Sequence, residues 1–423
     1  MGECWFRCQN TGDRVISKFQ GFRMNRILII TNNFPPERSG NASRIHDLSR
    51  NLVELGLEIT VICPHPTIPI GNFEPVGKRK TEDEIDGIDV NRIWTWQPVN
   101  NDPTFLSRMA YYLLFPLHSL YFVLKYRDKY DLVLTTAPPL FVHIPGLFVN
   151  LLLDKKWILD IRDLWIDASE GLGFVKDGSI LKNLSEKFEK LCLKIADLIT
   201  ITTKKMEEKL ENKYRLGEDE KFLFLPNGVD TDAFYPIDGE RRNEIIYAGL
   251  LGHAQDLESP ILAMKELKDK HDIQFRIIGD GDKKEDLERL VKSNGLEDVV
   301  KFEGLVSREK IPGFLSMSKI GIAPIKGIES LNYAVPSKIF EYMACELPYI
   351  SSGIGEVQRL TKESGAGVVA KNDPGSFLEK LDYLLDDDGQ LREMGKKGRK
   401  FVEENYNRRK IAIRLKEAIE GMG

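Results

Sequence analysis

The strongest constraint on this chain is a rhythm that stops once and starts again. Strand-sized apolar runs, "RILIIT", "EITVIC", "DLVLTT", "KWILDI" and "LITITT", are separated by helix-patterned stretches such as Ala42 to Leu55. After a pause the pattern resumes with "EIIYAGLLG", "FRIIGDGD", "VVKFEGLV", "IGIAPI" and "LPYISS". Parallel strands need long crossovers, which helices supply, so each series predicts a parallel sheet covered by helices. The pause falls in "FLFLPNGVDTDAFYP", where Asn227-Gly228 is a turn signal and Pro236 opens the polar stretch "IDGERRN". The expected fold class is therefore α/β, with one domain over 24–236 and a second over 237–405. A last helix over 406–423 is expected to cross back onto the first domain. A length of 423 residues exceeds one ordinary core and agrees with two.

Composition narrows the function classes. A net charge of -5 argues against a nucleic-acid partner. Cys4, Cys8, Cys63, Cys192 and Cys345 have no zinc-like spacing with histidines, which fits a reduced, cytoplasmic chain. No run of ~18 apolar residues predicts a spanning helix. Residues 1–23 precede the first strand, which Met24 introduces directly, and are expected to be a disordered extension. One segment breaks the rhythm: residues 104–130, "TFLSRMAYYLLFPLHSLYFVLKYRDKY", rich in Leu, Phe and Tyr and ending in basic residues. It reads either as a buried helix pair broken at Pro116 or as an interfacial element touching a membrane surface.

Open α/β sheets bind ligands at the carboxyl ends of their strands, so three strand-exit loops are candidates. In "TNNFPPERSGNASR", Gly40 allows close backbone approach and Asn41 can cap the following helix, whose free N–H groups favour an anion. In "ILDIRDLWIDAS", Arg162, Asp163 and Trp165 suit a sugar, the carboxylate taking hydroxyl protons and the indole stacking on the ring. The same residues also read as an Arg–Asp pair beside a core Trp. In "AVPSKIFEYMACELPYISS", Ser337 is the expected N-cap, and the amides of Ser337, Lys338 and Ile339 are expected to face phosphate oxygens. A lysine in the first turn opposes the helix macrodipole, which an anionic ligand would explain, and Glu341 one turn on could accept both hydroxyls of a ribose.

"PSKIFEYMACELPYI" resembles the signature of the retaining glycosyltransferases of family four (glycosyl transferases group 1), which have the GT-B fold of two facing Rossmann-like domains with a cleft between them. "FPPERSGNASR", "DIRDLW", "LPNGVDTDAF", "YAGLLGHAQDLE", "RIIGDGD" and "VKFEGLVSREKIP" resemble further family segments in the right order. The chain looks most like surface-polysaccharide enzymes of the N-acetylfucosaminyltransferase type. The resemblance implies a nucleotide-sugar donor, with UDP as the commonest carrier, and a lipid-linked sugar acceptor. It places Gly40, Asn41, Gly249, Gly252, Gly279, Ser337 and Glu341 around the donor, and Arg44, Arg162 and Trp165 on the acceptor side. Lys338, Asp163 and His253 are the expected catalytic groups.

Two departures stand out. The family's second glutamate, eight positions before Glu341, is Tyr333 here. The usual cation pair after the first strand of the second domain is reduced to His253, so Lys338 is expected to meet the leaving-group charge. "DGD" at Asp280 to Asp282 has a metal-binding spacing but reads as a polar turn, and no metal or other cofactor is expected. An inactive nucleotide-sugar-binding scaffold and a sugar-nucleotide epimerase of the same fold are the competing functions.

Overall fold

The computed structural model describes residues 24–422 other than 38, 68–72, 75, 98–104, 172–174 and 218–220. Residues 1–23, with Cys4 and Cys8, and Thr104 lie outside the described residues.

The first domain builds one sheet from β1 (Arg26–Thr31), β2 (Glu58–Pro64), β3 (Lys80–Ile85), β4 (Ile88–Ile93), β5 (Leu132–Ala137), β6 (Lys156–Ile161), β7 (Leu198–Ile201) and β8 (Phe222–Phe224). Their order is β3-β4-β2-β1-β5-β6-β7-β8. The helices are α1 (Gly40–Glu54), α2 (Phe105–Lys125), α3 (Ile144–Leu153), α4 (Trp165–Gly171), α5 (Ile180–Ile195) and α6 (Lys204–Tyr214). Alternate residues of a strand point to opposite faces. Ile27 and Ile29 pack with Ile45, Leu48 and Leu52 of α1. Leu28 and Ile30 pack with Phe115 and Val123 of α2 and Val149 of α3.

The sheet is parallel except at one edge. There β3 pairs antiparallel with β4 through a two-residue turn, Asp86-Gly87, with φ of 51° and 75°. Left-handed backbone at both turn residues is what an Asp-Gly hairpin provides. The uniformly parallel reading of the sequence missed it. The reading of residues 104–130 as a helix pair is also corrected. Among the described residues the segment is one helix, α2, with Pro116 inside it, followed by a 3-10 turn at Arg127–Lys129.

The second domain contains β9 (Glu244–Ala248), β10 (Gln274–Ile278), β11 (Val300–Gly304), β12 (Ile320–Ala323), β13 (Tyr349–Ser351) and β14 (Gly367–Val369). All are parallel, in the order β11-β10-β9-β12-β13-β14. Its helices are α7 (Glu258–Lys270), α8 (Lys284–Ser293), α9 (Ile311–Met317), α10 (Lys338–Ala344), α11 (Glu356–Ser364), α12 (Pro374–Leu385) and α13 (Asp388–Asn405). Strand order reverses between β1 and β5 in the first sheet and between β9 and β12 in the second. Those are the switch points where loops diverge and leave a crevice.

Between the domains the chain crosses twice. Val229 on the outward pass pairs with Asn407 on the return. The backbone N–H of Val229 donates to Tyr406 (2.9 Å) and that of Arg408 to Val229 (3.0 Å). The final helix, α14 (Arg408–Glu420), then buries Ile411, Ala412, Leu415 and Ile419 in the first domain's core, beside α1.

Candidate active site

Three strand-exit segments at the two switch points meet between the domains. From the second domain comes α10, seated in the core by Ile339, Phe340 and Met343. Ser337 precedes it with helical backbone (φ -59°, ψ -28°) and makes no capping bond, so the expected side-chain cap is not formed. The amide of Ile339 donates to the carbonyl of Pro336 (3.1 Å) and is not available to a ligand, contrary to the sequence reading. Among the described residues the amides of Ser337 and Lys338 have no partner.

Lys338 is only 7% exposed. Its ammonium makes no ion pair or hydrogen bond among the described residues and lies 4.7 Å from the centre of the Tyr247 ring. Burial pushes its pKa down to about 8, while Glu341 acts in the opposite direction. Two glycines bring the lysine to this position. At Gly249 (φ +152°) a Cβ would stand 2.9 Å from Lys338 Cε, and at Gly279 (φ +137°) one would stand 1.9 Å from the Gly249 carbonyl oxygen. The loops after β9 and β10 interlock through these two positions, and the amides of Gly249 and Gly279 are taken by Ile278 and Gly304. The amide of Gly252 is likewise taken, by Gln255 Oε1 at 3.2 Å, and His253 follows it half-buried.

From the first domain comes the N-terminus of α1. Its cap is Ser39, which accepts from the amide of Ala42 (3.1 Å). Asn41, the expected cap, instead lies inside the helix and donates to Asn33 Oδ1 (2.7 Å). Asn33 in turn donates to the buried Glu37 (2.8 Å). A Cβ on Gly40 would stand 3.2 Å from Ser337 Oγ. The N-terminus of α1 therefore faces the N-terminus of α10 across the cleft, with Lys338 beside the meeting point. Two sets of helix-end N–H groups and one ammonium favour an anion there.

One turn along α10, Glu341 is half-buried, and its carboxylate accepts no hydrogen bond among the described residues. Burial raises its pKa; Arg308, Arg408 and Lys338 oppose that. The two arginines are held by Asp47 of α1. Arg308 forms a fork of 3.2 and 2.7 Å to its carboxylate, and Arg408 donates to the same group. Burial works against the charge on Asp47, but His46 and the two arginines outweigh it and hold the carboxyl well below the usual range.

On the other side of the cleft, the structure separates the expected acceptor residues. Arg44 is buried and gives both ends of its guanidinium to Asp160 (2.8 and 3.0 Å) and one to the carbonyl of Leu225 (3.0 Å). Asp160 also accepts from Thr136 and Thr200 (2.6 Å each). Arg44 is thus a tie across β5, β6 and β7, not a group facing a substrate. Arg162 donates to Thr136 Oγ1 (2.9 Å), and burial together with Arg44 pushes its pKa down to about 10. Asp163 accepts from the hydroxyl of Tyr333, which in turn accepts from the amide of Leu164 (3.1 Å). Trp165 is half-buried and meets Tyr112 of α2 edge-on, with ring centres 6.3 Å apart.

Residues 230–401 match the family described as glycosyl transferases group 1, and residues 39–228 match the glycosyl transferase 4-like domain. The chain belongs to the group 1 glycosyltransferases. It is 26% identical over 291 residues to WcaI of Escherichia coli, a glycosyl transferase named for colanic acid biosynthesis; the match spans 64% of this chain and 69% of that one. Among solved structures, sucrose-phosphate synthase from Thermosynechococcus elongatus superimposes with a TM-score of 0.73 at 17% identity, over 94% of this chain and 99% of that one. Anabaena HepE, solved with UDP and glucose, gives 0.69 at 14% identity over 94% and 99%. These likenesses establish the GT-B fold.

In this glycosyltransferase, sequence reasoning located Gly40, Ser337, Lys338 and Glu341 on one cleft. It missed Asp47, Arg308 and Arg408, which set the charge around Glu341. A carboxylate inside α1 and two arginines far along the chain carry no local signal. Tyr333 was visible as a departure, but its bond to Asp163 was not.

Proposed function

We propose that this glycosyltransferase moves a sugar from a nucleotide-sugar donor to a lipid-linked acceptor, with retention of anomeric configuration, on the cytoplasmic face of a membrane. The observation that carries the reading is the unpartnered, buried ammonium of Lys338 where two helix N-termini converge. A group with that surrounding is matched by a diphosphate. Glu341, with no donor of its own, would accept the two hydroxyls of the ribose.

In the proposed step the bond from the anomeric carbon to the phosphate oxygen breaks, and its electron pair leaves with the nucleoside diphosphate. Lys338 and the amides of Ser337 and Lys338 stabilise that charge, each by about 2.7–4 kcal/mol, as oxyanion donors do. The acceptor oxygen bonds to the same face of the sugar, and its proton passes to the departing phosphate. Asp163, held by Tyr333, orients the acceptor hydroxyl beside Trp165. No metal is required in this scheme. Asp280, part of the metal-like spacing, accepts from the amide of Gly281 (2.9 Å), as a turn residue does.

UDP is the proposed carrier, as in the HepE complex. The name of WcaI supports a place in polysaccharide assembly, and the motif likeness supports an amino sugar of the N-acetylfucosamine kind. Contact with the membrane through residues 104–130 belongs to the same reading. Calorimetric titration with UDP, GDP and ADP, without metal, tests it in wild type and Glu341→Ala. Binding of one nucleotide, lost in the variant, is expected. Binding without turnover would favour an inactive scaffold, for which the lack of a second cation beside His253 is the motive. No binding of any nucleotide would overturn the reading.

A further inference from the structure

Among the described residues, ten large apolar side chains stand exposed on three helices of the first domain. On α2 they are Leu113, Leu117, Tyr121 and Leu124, spaced three or four apart and so forming one stripe. On α3 they are Phe148, Leu151 and Leu152, and on α5 Ile180, Leu184 and Leu191. The helices adjoin: α3 contacts both α2 and α5, and Phe141, just before α3, meets Phe188 of α5 with ring centres 6.1 Å apart. All three cover the face of the sheet opposite α1 and α14. Scattered exposed leucines need no explanation, but a contiguous set on adjoining helices marks an interaction surface.

Charge decides the occupant. The chain as a whole carries -5, yet α2 and α3 contain no Asp or Glu. On α5, Glu189 is buried and Glu186 is paired with Lys213 at 3.2 Å. Lys187 and Lys194 fall on the stripe with Leu184 and Leu191, and Lys125, Arg127 and Lys129 cluster at the end of α2. None of these five makes an ion pair among the described residues, and they outnumber the exposed acids at the edge, Asp128, Asp154 and Asp177, the last of which is paired with Lys182 at 2.7 Å. Tyr121 and Trp96, whose indole donates to Ser107 (2.9 Å), add amphipathic rings of the kind found at membrane interfaces. No helix among the described residues is long and apolar enough to cross a membrane. We propose that the joint outer face of α2, α3 and α5 lies on an anionic phospholipid surface, its leucines and aromatics among the acyl chains and its cations at the headgroups.

The placement has a use, which rests on the lipid-linked acceptor proposed above. Tyr112, next to Leu113 on α2, touches Trp165, so the lipid-facing helix borders the loop that carries Asp163. A sugar held at the headgroups reaches that loop without leaving the surface.

Flotation of the full chain with vesicles tests the surface apart from the chemistry. Wild type is expected to float with phosphatidylglycerol-containing vesicles and to stay behind with phosphatidylcholine alone. Lys187→Glu with Lys194→Glu, and separately Leu117→Gln with Leu151→Gln and Leu184→Gln, should each reduce flotation by at least about ten-fold. Circular dichroism should show both variants folded. Failure of wild type to float, or equal flotation of the variants, would overturn the proposal. So would a solution dimer, seen by analytical ultracentrifugation, that the leucine variant dissociates, because the occupant would then be a second copy. Transfer to a short-chain, water-soluble acceptor without vesicles reads the transferase assignment separately: it should be unchanged in the variants, and its absence in wild type counts against the function rather than the surface.

Discussion

The buried Tyr333 of the second domain donates its hydroxyl to the half-buried Asp163 of the first, a contact that ties the donor-side loop to the acceptor-side loop. Its backbone carbonyl accepts from Thr203 (2.9 Å), also of the first domain. Tyr333→Phe removes the hydroxyl and leaves the amide of Leu164 without its acceptor. A stability loss of about 1–3 kcal/mol is expected in denaturant titration. Burial raises the pKa of Asp163 and the Tyr333 hydrogen bond lowers it. Without that bond the acid limb of the pH–rate profile should move to higher pH. A stability loss with an unmoved acid limb would reduce Tyr333 to a structural tie.

Lys338 is a charge held at the expense of stability. Its pKa is lowered from 10.5 to about 8, so between those values the unfolded chain binds the proton and the folded one does not. Apo stability should therefore rise with pH through that window, and the strain of the buried charge is fully present below it. Lys338→Met should stabilise the apo protein by about 1–3 kcal/mol and abolish most turnover. In wild type, donor affinity should fall as pH passes about 8. Thermal melts and donor binding across pH 6–10, an interval set by about two units either side of that value, check both.

Asp47 behaves in the opposite sense. Its depressed pKa contributes stability above the ordinary carboxylate range, and that stability is lost as pH falls through the lower folded value. Asp47→Asn leaves Arg308 and Arg408 without their shared anion, at a cost of about 3–5 kcal/mol. Acid denaturation should be shallower in the variant than in wild type, read by ellipticity against pH. Identical acid profiles would show that the triad does not hold the domains.

Gly279→Ala puts a methyl group 1.9 Å from the Gly249 carbonyl oxygen, at a backbone angle side chains rarely adopt. The loop under Lys338 must shift. Donor affinity should fall by at least about ten-fold, the equivalent of 1.4 kcal/mol, with a lower melting temperature. Retained affinity would separate that loop from the donor site.

The sheets were legible because each apolar run is short, uninterrupted and bounded by turn residues. The edge hairpin was not, since β3 (Lys80–Ile85) is largely polar, and only "EIDGID" announces its turn. Ser39 and Asn41 are both good caps two residues apart, and side-chain chemistry alone cannot choose between them. Ser337, Lys338 and Glu341 could be read because one short helix holds all three. Arg44 could not be, because its partner Asp160 is 116 positions away and sits on a central strand. The clustering of Asp47 with Arg308 and Arg408 spans 261 and 361 positions and exists only after both domains have formed.

The pairing of Val229 with Asn407 also limits how the lobes can move. Two passes of chain, clamped side by side, act as a hinge pin. They permit swinging about a line through the crossing and resist sliding or unlimited twisting. The gap between Gly40 and Ser337 is the natural gauge of such a swing. Widening that gap would separate the two helix ends and expose Lys338 together, so that admission of the donor and dismantling of its anion site become the same motion.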